Sequence, residues 1–130
     1  MKNKIEKIYI GWEELGIMID ELKRKVKSSR RKFKNIYAVP RGGYILGVAL
    51  SHYLKIPLVD ASEVGLSTLV CDDISDTGQT LHPLRKTCKI ACLYTTPWTN
   101  VTPDYYVRVK THRNSWIIFP YEDRYSEGEK

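Results

Sequence analysis

The residues with the clearest capacity for chemistry form one string, Leu69-Val70-Cys71-Asp72-Asp73-Ile74-Ser75-Asp76-Thr77-Gly78-Gln79-Thr80-Leu81. An apolar run ends in two adjacent carboxylates, and a turn of Ser, Asp, Thr and Gly follows. Main-chain N–H groups in such a turn make a cradle for a phosphate dianion, with hydroxyls from Thr77 and Thr80 beside them. Gly78 lets the backbone approach a ligand closely. The turn is expected to open a helix near Gly78 that runs into Arg85-Lys86, adding the positive end of a helix dipole. Two neighbouring acids after a buried strand are costly unless sugar hydroxyls or a divalent cation offset their charge. A phosphate cradle beside an acid pair suited to a diol describes a ribose 5-phosphate site. The plainer reading, Asp76 as a helix N-cap with Asp72 and Asp73 exposed, accounts for single acids but not for the whole string. The Gly-x-x-x-x-Gly-Lys spacing of a Walker loop is absent.

A second loop has related chemistry. Val39-Pro40-Arg41-Gly42-Gly43 follows an apolar run, and its two glycines permit close backbone approach while Arg41 supplies a fixed positive charge.

The elements that must position these loops follow from hydrophobic spacing. Ile8 to Ile10 reads as a short strand. Trp12 to about Ser28 reads as a helix, with Trp12, Leu15, Ile19, Leu22 and Val26 on one apolar stripe. Asn35 to Pro40 is a buried strand. Gly43 to Leu54 is a helix with Leu46, Ala49, Leu50 and Tyr53 inward. Ile56 to Val59, Thr68 to Cys71, Lys89 to Tyr94 and Tyr105 to Val109 are further strands, and Trp116 to Phe119 is an apolar tail. This rhythm predicts an α/β domain with a mostly parallel central sheet flanked by helices, in which ligands gather at the carboxyl ends of the strands. Both loops of interest lie at such ends.

Composition sets the limits. The chain has 130 residues, 42% hydrophobic and 28% charged, which suits one soluble domain over 1–130. No apolar run is long enough to span a membrane, Met1 to Glu6 lacks the apolar core of a secretory signal, and Glu127-Gly128-Glu129-Lys130 is no lipidation signal. A cytoplasmic location is expected. Cys71, Cys88 and Cys92 lie in apolar runs and read as small buried hydrophobes. Residues i and i+4 on a strand lie roughly 13 Å apart, too far for a Cys88–Cys92 disulfide. His52, His82 and His112 match no zinc spacing. The net charge of +6 resides wholly in residues 1–35, with eleven Lys/Arg against five Asp/Glu. Most of it lies in Lys23-Arg24-Lys25-Val26-Lys27 and Arg30-Arg31-Lys32, where no aromatic residues interleave as a base-stacking platform would require, so it reads as a solvated helix face with a charged loop and nucleic acid is not an expected partner.

The string 69–81 closely resembles the phosphoribosyl-pyrophosphate (PRPP) signature of type I phosphoribosyltransferases: an apolar stretch, two acids, then Asp-Thr-Gly-x-Thr. The resemblance extends over most of the chain, to Arg41-Gly42-Gly43 as a pyrophosphate loop. Pro103-Asp104-Tyr105-Tyr106 and Trp116-Ile117-Ile118-Phe119-Pro120-Tyr121-Glu122 look like the tail of the small xanthine-guanine and hypoxanthine enzymes. It implies the type I fold and transfer of the 5-phosphoribosyl group from PRPP to xanthine, guanine or hypoxanthine, in purine salvage. It implies that Asp72 and Asp73 hold the ribose hydroxyls, directly or through Mg2+. Asp76, Thr77, Gly78, Gln79 and Thr80 would cradle the 5-phosphate, and Arg41, Gly42 and Gly43 the pyrophosphate. Trp116 would stack on the base, with the backbone of Ile117 on its edge. Asp76 and Arg41 would be the catalytic pair. It also implies a cis peptide at Pro40–Arg41, and a homo-oligomer, dimer or tetramer.

Two departures stand out. Thr96 occupies the place of a base-recognising lysine, and only Asp60 to Ser67 is present where the family carries a flexible catalytic loop. The base-binding hood is also reduced. Two alternatives follow: a PRPP- or nucleotide-binding regulator of the same fold with little catalysis, or transfer to another base.

Overall fold

Helix α1 (Trp12–Ser28) forms where the apolar positions recur at helical spacing, with Glu13 and Glu14 in its first turn and Lys25 and Lys27 in its last, both favourable to the helix dipole. Its inward face is Leu15, Met18, Ile19, Leu22 and Val26, whereas Trp12, expected on that stripe, stands 63% exposed at the helix start. In the computed structural model, which describes residues 4–122, the strands are β1 (Glu6–Tyr9), β2 (Asn35–Ala38), β3 (Leu58–Val59), β4 (Thr68–Ser75), β5 (Lys89–Thr95), β6 (Arg108–Val109) and β7 (Ser115–Ile118). Helix α2 (Tyr44–Leu54) links β2 to β3; Leu46 and Leu50 are buried but Tyr53 is exposed. The terminal Glu127-Gly128-Glu129-Lys130 lies outside the described residues.

The central sheet has five strands in the order β3-β2-β4-β5-β6, all parallel. A separate parallel pair joins β1 to β7, in register from Glu6↔Ser115 to Tyr9↔Ile118. Buried side chains of β4 and β5 alternate with period two. Leu69, Cys71, Ala91 and Leu93 share one cluster with the inner faces of α1 and α2. Val70, Ile90 and Cys92 share another with Leu81, Cys88 and Val101. The three cysteines are free and buried, as their apolar settings imply.

One expected element is absent. Residues 76–88 form turns and a short 3-10 turn at His82–Leu84 rather than an α-helix. Pro83 sits inside the stretch and removes a donor that a helix interior would need. The second face of the sheet is therefore covered by loop residues, and no helix dipole points at the turn after β4. Among the described residues no helix is long and apolar enough to cross a membrane.

Candidate active site

Strand β4 runs past its expected end at Cys71 to Ser75 because its pairing with β5 continues through Ile74↔Tyr94 and Ser75↔Thr95. Asp72 and Asp73 thus sit in the last turns of a central strand. Asp72 is buried; Asp73 is half-buried. Burial, with the Asp73 charge next to it, pushes the Asp72 carboxyl up to about 8. Burial also raises Asp73. Each takes a local main-chain hydrogen bond, Asp73 N–H to Asp72 Oδ1 at 2.8 Å and Ile74 N–H to Asp73 Oδ1 at 2.7 Å. Among the described residues neither forms an ion pair with Lys or Arg. An acid pair held this way is unfavourable until a cation or hydroxyl donors reach it.

The turn that follows lines a hollow of about 270 Å³, bounded by residues 72–81. Without a helix, a strap from Thr96 to Val101 holds its shape. Thr96 Oγ1 donates to the Asp76 carbonyl at 2.5 Å, Asn100 N–H donates to the Thr77 carbonyl at 2.8 Å, and Ser75 Oγ donates to the Val101 carbonyl at 2.6 Å. Gly78 has φ +87°, and a Cβ there would sit 2.7 Å from Val101 N. Only glycine meets both demands. Among the described residues, the main-chain N–H groups of Thr77, Gly78 and Thr80 have no acceptor, while Gln79 N–H reaches Thr77 Oγ1 at 3.3 Å.

Asp76 is fixed from two sides. Lys110 Nζ lies 3.0 Å from its Oδ2, and Trp98 Nε1 donates to its Oδ1 at 2.9 Å. Partial burial raises the Asp76 carboxyl, but the hydrogen bonds from Lys110 and Trp98 and the nearby Lys110 and Arg113 charges outweigh it, leaving it below the usual range. Arg113 lies 4.6 Å from the Trp98 ring centroid.

The loop after β2 abuts the acid pair. The Pro40–Arg41 peptide is cis. A Cβ on Gly42 would run into the Asp73 carboxylate, so the two loops touch there. Gly43 N–H is spent on the Val39 carbonyl at 2.8 Å, which leaves the amides of Arg41 and Gly42 as the loop's free donors among the described residues. Arg41 is exposed. From the C-terminal segment, Tyr121 Oη donates to the Gly42 carbonyl at 3.3 Å, and burial, then the Asp73 charge, raises its phenol.

The sequence-derived residues divide accordingly. Asp72, Asp73, Asp76, Thr77, Gly78, Gln79 and Thr80 come together at one hollow, with Gly42 against it. Trp116 lies on β7, 42% exposed, with the Lys7 ammonium 5.8 Å from its ring, and Ile117 faces the core. Asp104 is drawn away to the amino end of β5, where it accepts from Ile90 N–H at 2.8 Å and pairs with Arg85 at 2.9 Å. Sequence reasoning missed Trp98, Lys110 and Tyr121 as site residues. Lys110 directly follows β6, and a strand's carboxyl end was the available signal.

No protein-family model matches the chain. A purine phosphoribosyltransferase from Pyrococcus horikoshii superposes with a TM-score of 0.76 and 34% identity, covering 90% of this chain and 95% of that one. The chain belongs to the purine phosphoribosyltransferase family. A xanthine-guanine phosphoribosyltransferase from Idiomarina loihiensis is 29% identical over 88% of this chain and 86% of its own length. A Neisseria gonorrhoeae protein with bound ppGpp superposes with a TM-score of 0.77 over 99% of this chain and 100% of its own, at 17% identity, a likeness of fold alone. Within this family the chain has the type I fold, with a parallel central sheet, both loops at its carboxyl edge, and residues 60–67 reduced to a 3-10 turn (Ala61–Glu63) and short links.

Proposed function

We propose that the protein transfers the 5-phosphoribosyl group of PRPP to a purine base (xanthine, guanine or hypoxanthine), releasing pyrophosphate and a nucleoside monophosphate. The observation that carries this reading is the hollow after β4: free main-chain donors on one side and a buried, uncompensated acid pair on the other. The 5-phosphate takes the N–H groups of Thr77, Gly78 and Thr80 with the threonine hydroxyls. The ribose hydroxyls meet Asp72 and Asp73. Arg41, with the amides of Arg41 and Gly42, receives the pyrophosphate.

The acid pair also fits Mg2+. Among the described residues no cluster of three or more ligating side chains exists, so two carboxylates are what the protein offers and substrate oxygens and water would complete the shell. When bound, the ion supplies positive charge to the leaving pyrophosphate.

In the reaction a purine nitrogen lone pair forms the bond to C1′ as the bond from C1′ to the pyrophosphate oxygen breaks, and that electron pair leaves with pyrophosphate. Catalysis is mainly alignment and charge stabilisation. Asp76, held ionised by Lys110 and Trp98, accepts a hydrogen bond or proton from the base. Trp116 stacks on the base, with Ile117 main chain at its edge.

A second reading, a PRPP- or nucleotide-binding regulator, is favoured by the short 60–67 segment, which is too small for a hood that excludes water. A magnesium-dependent assay with PRPP and a panel of bases separates the two. Transfer to an oxopurine that falls about 100-fold or more in Asp76→Ala and Arg41→Ala supports the enzyme. PRPP binding without turnover of any base supports the regulator, and full activity in both variants refutes the assigned roles.

A further inference from the structure

We propose that Lys110 is a specificity-determining residue which, with Asp76, reads a ring edge carrying a carbonyl beside an N–H. The proposal rests on the phosphoribosyl-transfer reading. The end of β5 offers no charge, and Thr96 is already committed: its hydroxyl donates to the Asp76 carbonyl at 2.5 Å and the residue is buried. The positive charge at this edge comes instead from the neighbouring strand. Lys110 follows β6 directly, its N–H donates to the Thr95 carbonyl at 2.9 Å, and its side chain is 7% exposed. A backbone pinned to β5 and a buried stem give the ammonium a fixed address.

That ammonium has three donors. One meets Asp76 Oδ2 at 3.0 Å, and the Trp98 ring lies 5.8 Å away; no other acceptor for it exists among the described residues. Asp76 is 42% exposed at the edge of the hollow, with Oδ1 oriented by Trp98 Nε1. A donor and an acceptor are thus set side by side. Their complement is an acceptor next to a donor, as in a heterocycle with an oxo group beside a protonated ring nitrogen. An exocyclic amine in place of the oxo group would bring donor against donor and leave the remaining donors of a buried ammonium without an acceptor. Sites that depend on a buried hydrogen-bond partner discriminate strongly against the analogue that lacks it.

The test uses the full chain with PRPP, magnesium and either hypoxanthine or adenine, together with PRPP affinity measured in the absence of base. Wild type is expected to use hypoxanthine and reject adenine. Lys110→Met is expected to raise the KM for hypoxanthine by about 10–100-fold and to narrow the gap to adenine, with PRPP affinity retained. Lys110→Gln provides a second readout. Its amide N–H2 can satisfy Asp76 and turn the amide oxygen toward the ligand, so adenine transfer is expected to rise. Unchanged KM and unchanged discrimination in either folded variant would overturn the proposal while leaving phosphoribosyl transfer intact, as would a wild type that uses both bases equally. No transfer by wild type to any base would overturn both.

Discussion

The loops after β2 and β4 share one edge of the sheet and are held by opposite means. The first leads into α2, its shape set by Gly43 N–H on the Val39 carbonyl and Gly47 N–H on the Gly43 carbonyl, both at 2.8 Å. The second leads into no α-helix, and a strap of distant residues, 96–101, braces it from behind. A loop built on its own following helix is a local construction. A loop braced by a strap depends on the register of β5, which carries that strap. The first should therefore fail together with the fold, and the second should lose its ligand before the fold is lost.

The largest effect belongs to Gly43→Ala. The new Cβ would collide with the Cys71 carbonyl and lie 2.8 Å from Val39 N, both main-chain atoms that cannot yield cheaply. A stability loss of about 3 kcal/mol or more is expected in urea unfolding, enough to remove folded protein at 37 °C. A stable, fully active variant would break the comparison.

Next comes the pH dependence of the acid pair. Asp72 is raised in the folded protein from an ordinary carboxylate value to about 8, so the folded chain binds more protons than the unfolded chain between these limits. The Asp72 contribution to stability without ligand is then greatest below about pH 4 and falls as pH rises to about 8, by about 2 kcal/mol or more. Asp72→Asn should flatten this slope in denaturation curves taken across the range, whereas magnesium with PRPP should lift the alkaline end for the unsubstituted protein. A wild-type slope of opposite sign would contradict the burial described for the pair.

Gly78→Ala is smaller in stability and sharper in binding. Positive φ and contact with Val101 N predict a loss of about 1–3 kcal/mol, with PRPP affinity reduced at least about tenfold because the loop's donors move. Calorimetric titration of the folded variant checks this. The mildest change, Thr96→Val, removes one bond of the strap and should cost about 1 kcal/mol with a modest loss of PRPP affinity. Equal effects on the fold from Gly43→Ala and Gly78→Ala would erase the distinction between the loops.

Much of this arrangement was legible in local residue patterns. Helix α1, the parallel strands and the acid pair follow from spacing and from the Asp-Asp pair after an apolar run, because these signals are local. The missing helix after Gly78 was legible only in part: Pro83 was a local signal against it, whereas the close approach of Gly78 to Val101 and the hold of the strap come from residues distant in the chain. Trp12 fell on the right spacing but at the first turn of the helix, where it stands exposed. Lys110 and Trp98 gain their meaning from Asp76, which lies 34 and 22 positions away in the chain. Periodicity does not encode such pairings.

The amides of the turn after β4 are proposed to grip a sugar phosphate. The most direct measurement is a PRPP titration with magnesium followed by amide NMR. Saturable shifts are expected to centre on Thr77, Gly78 and Thr80, with those of Arg41 and Gly42 following and those of Lys27 and Arg30 still. Absence of saturable shifts at 77–80, or shifts confined to the basic end of α1, would contradict it.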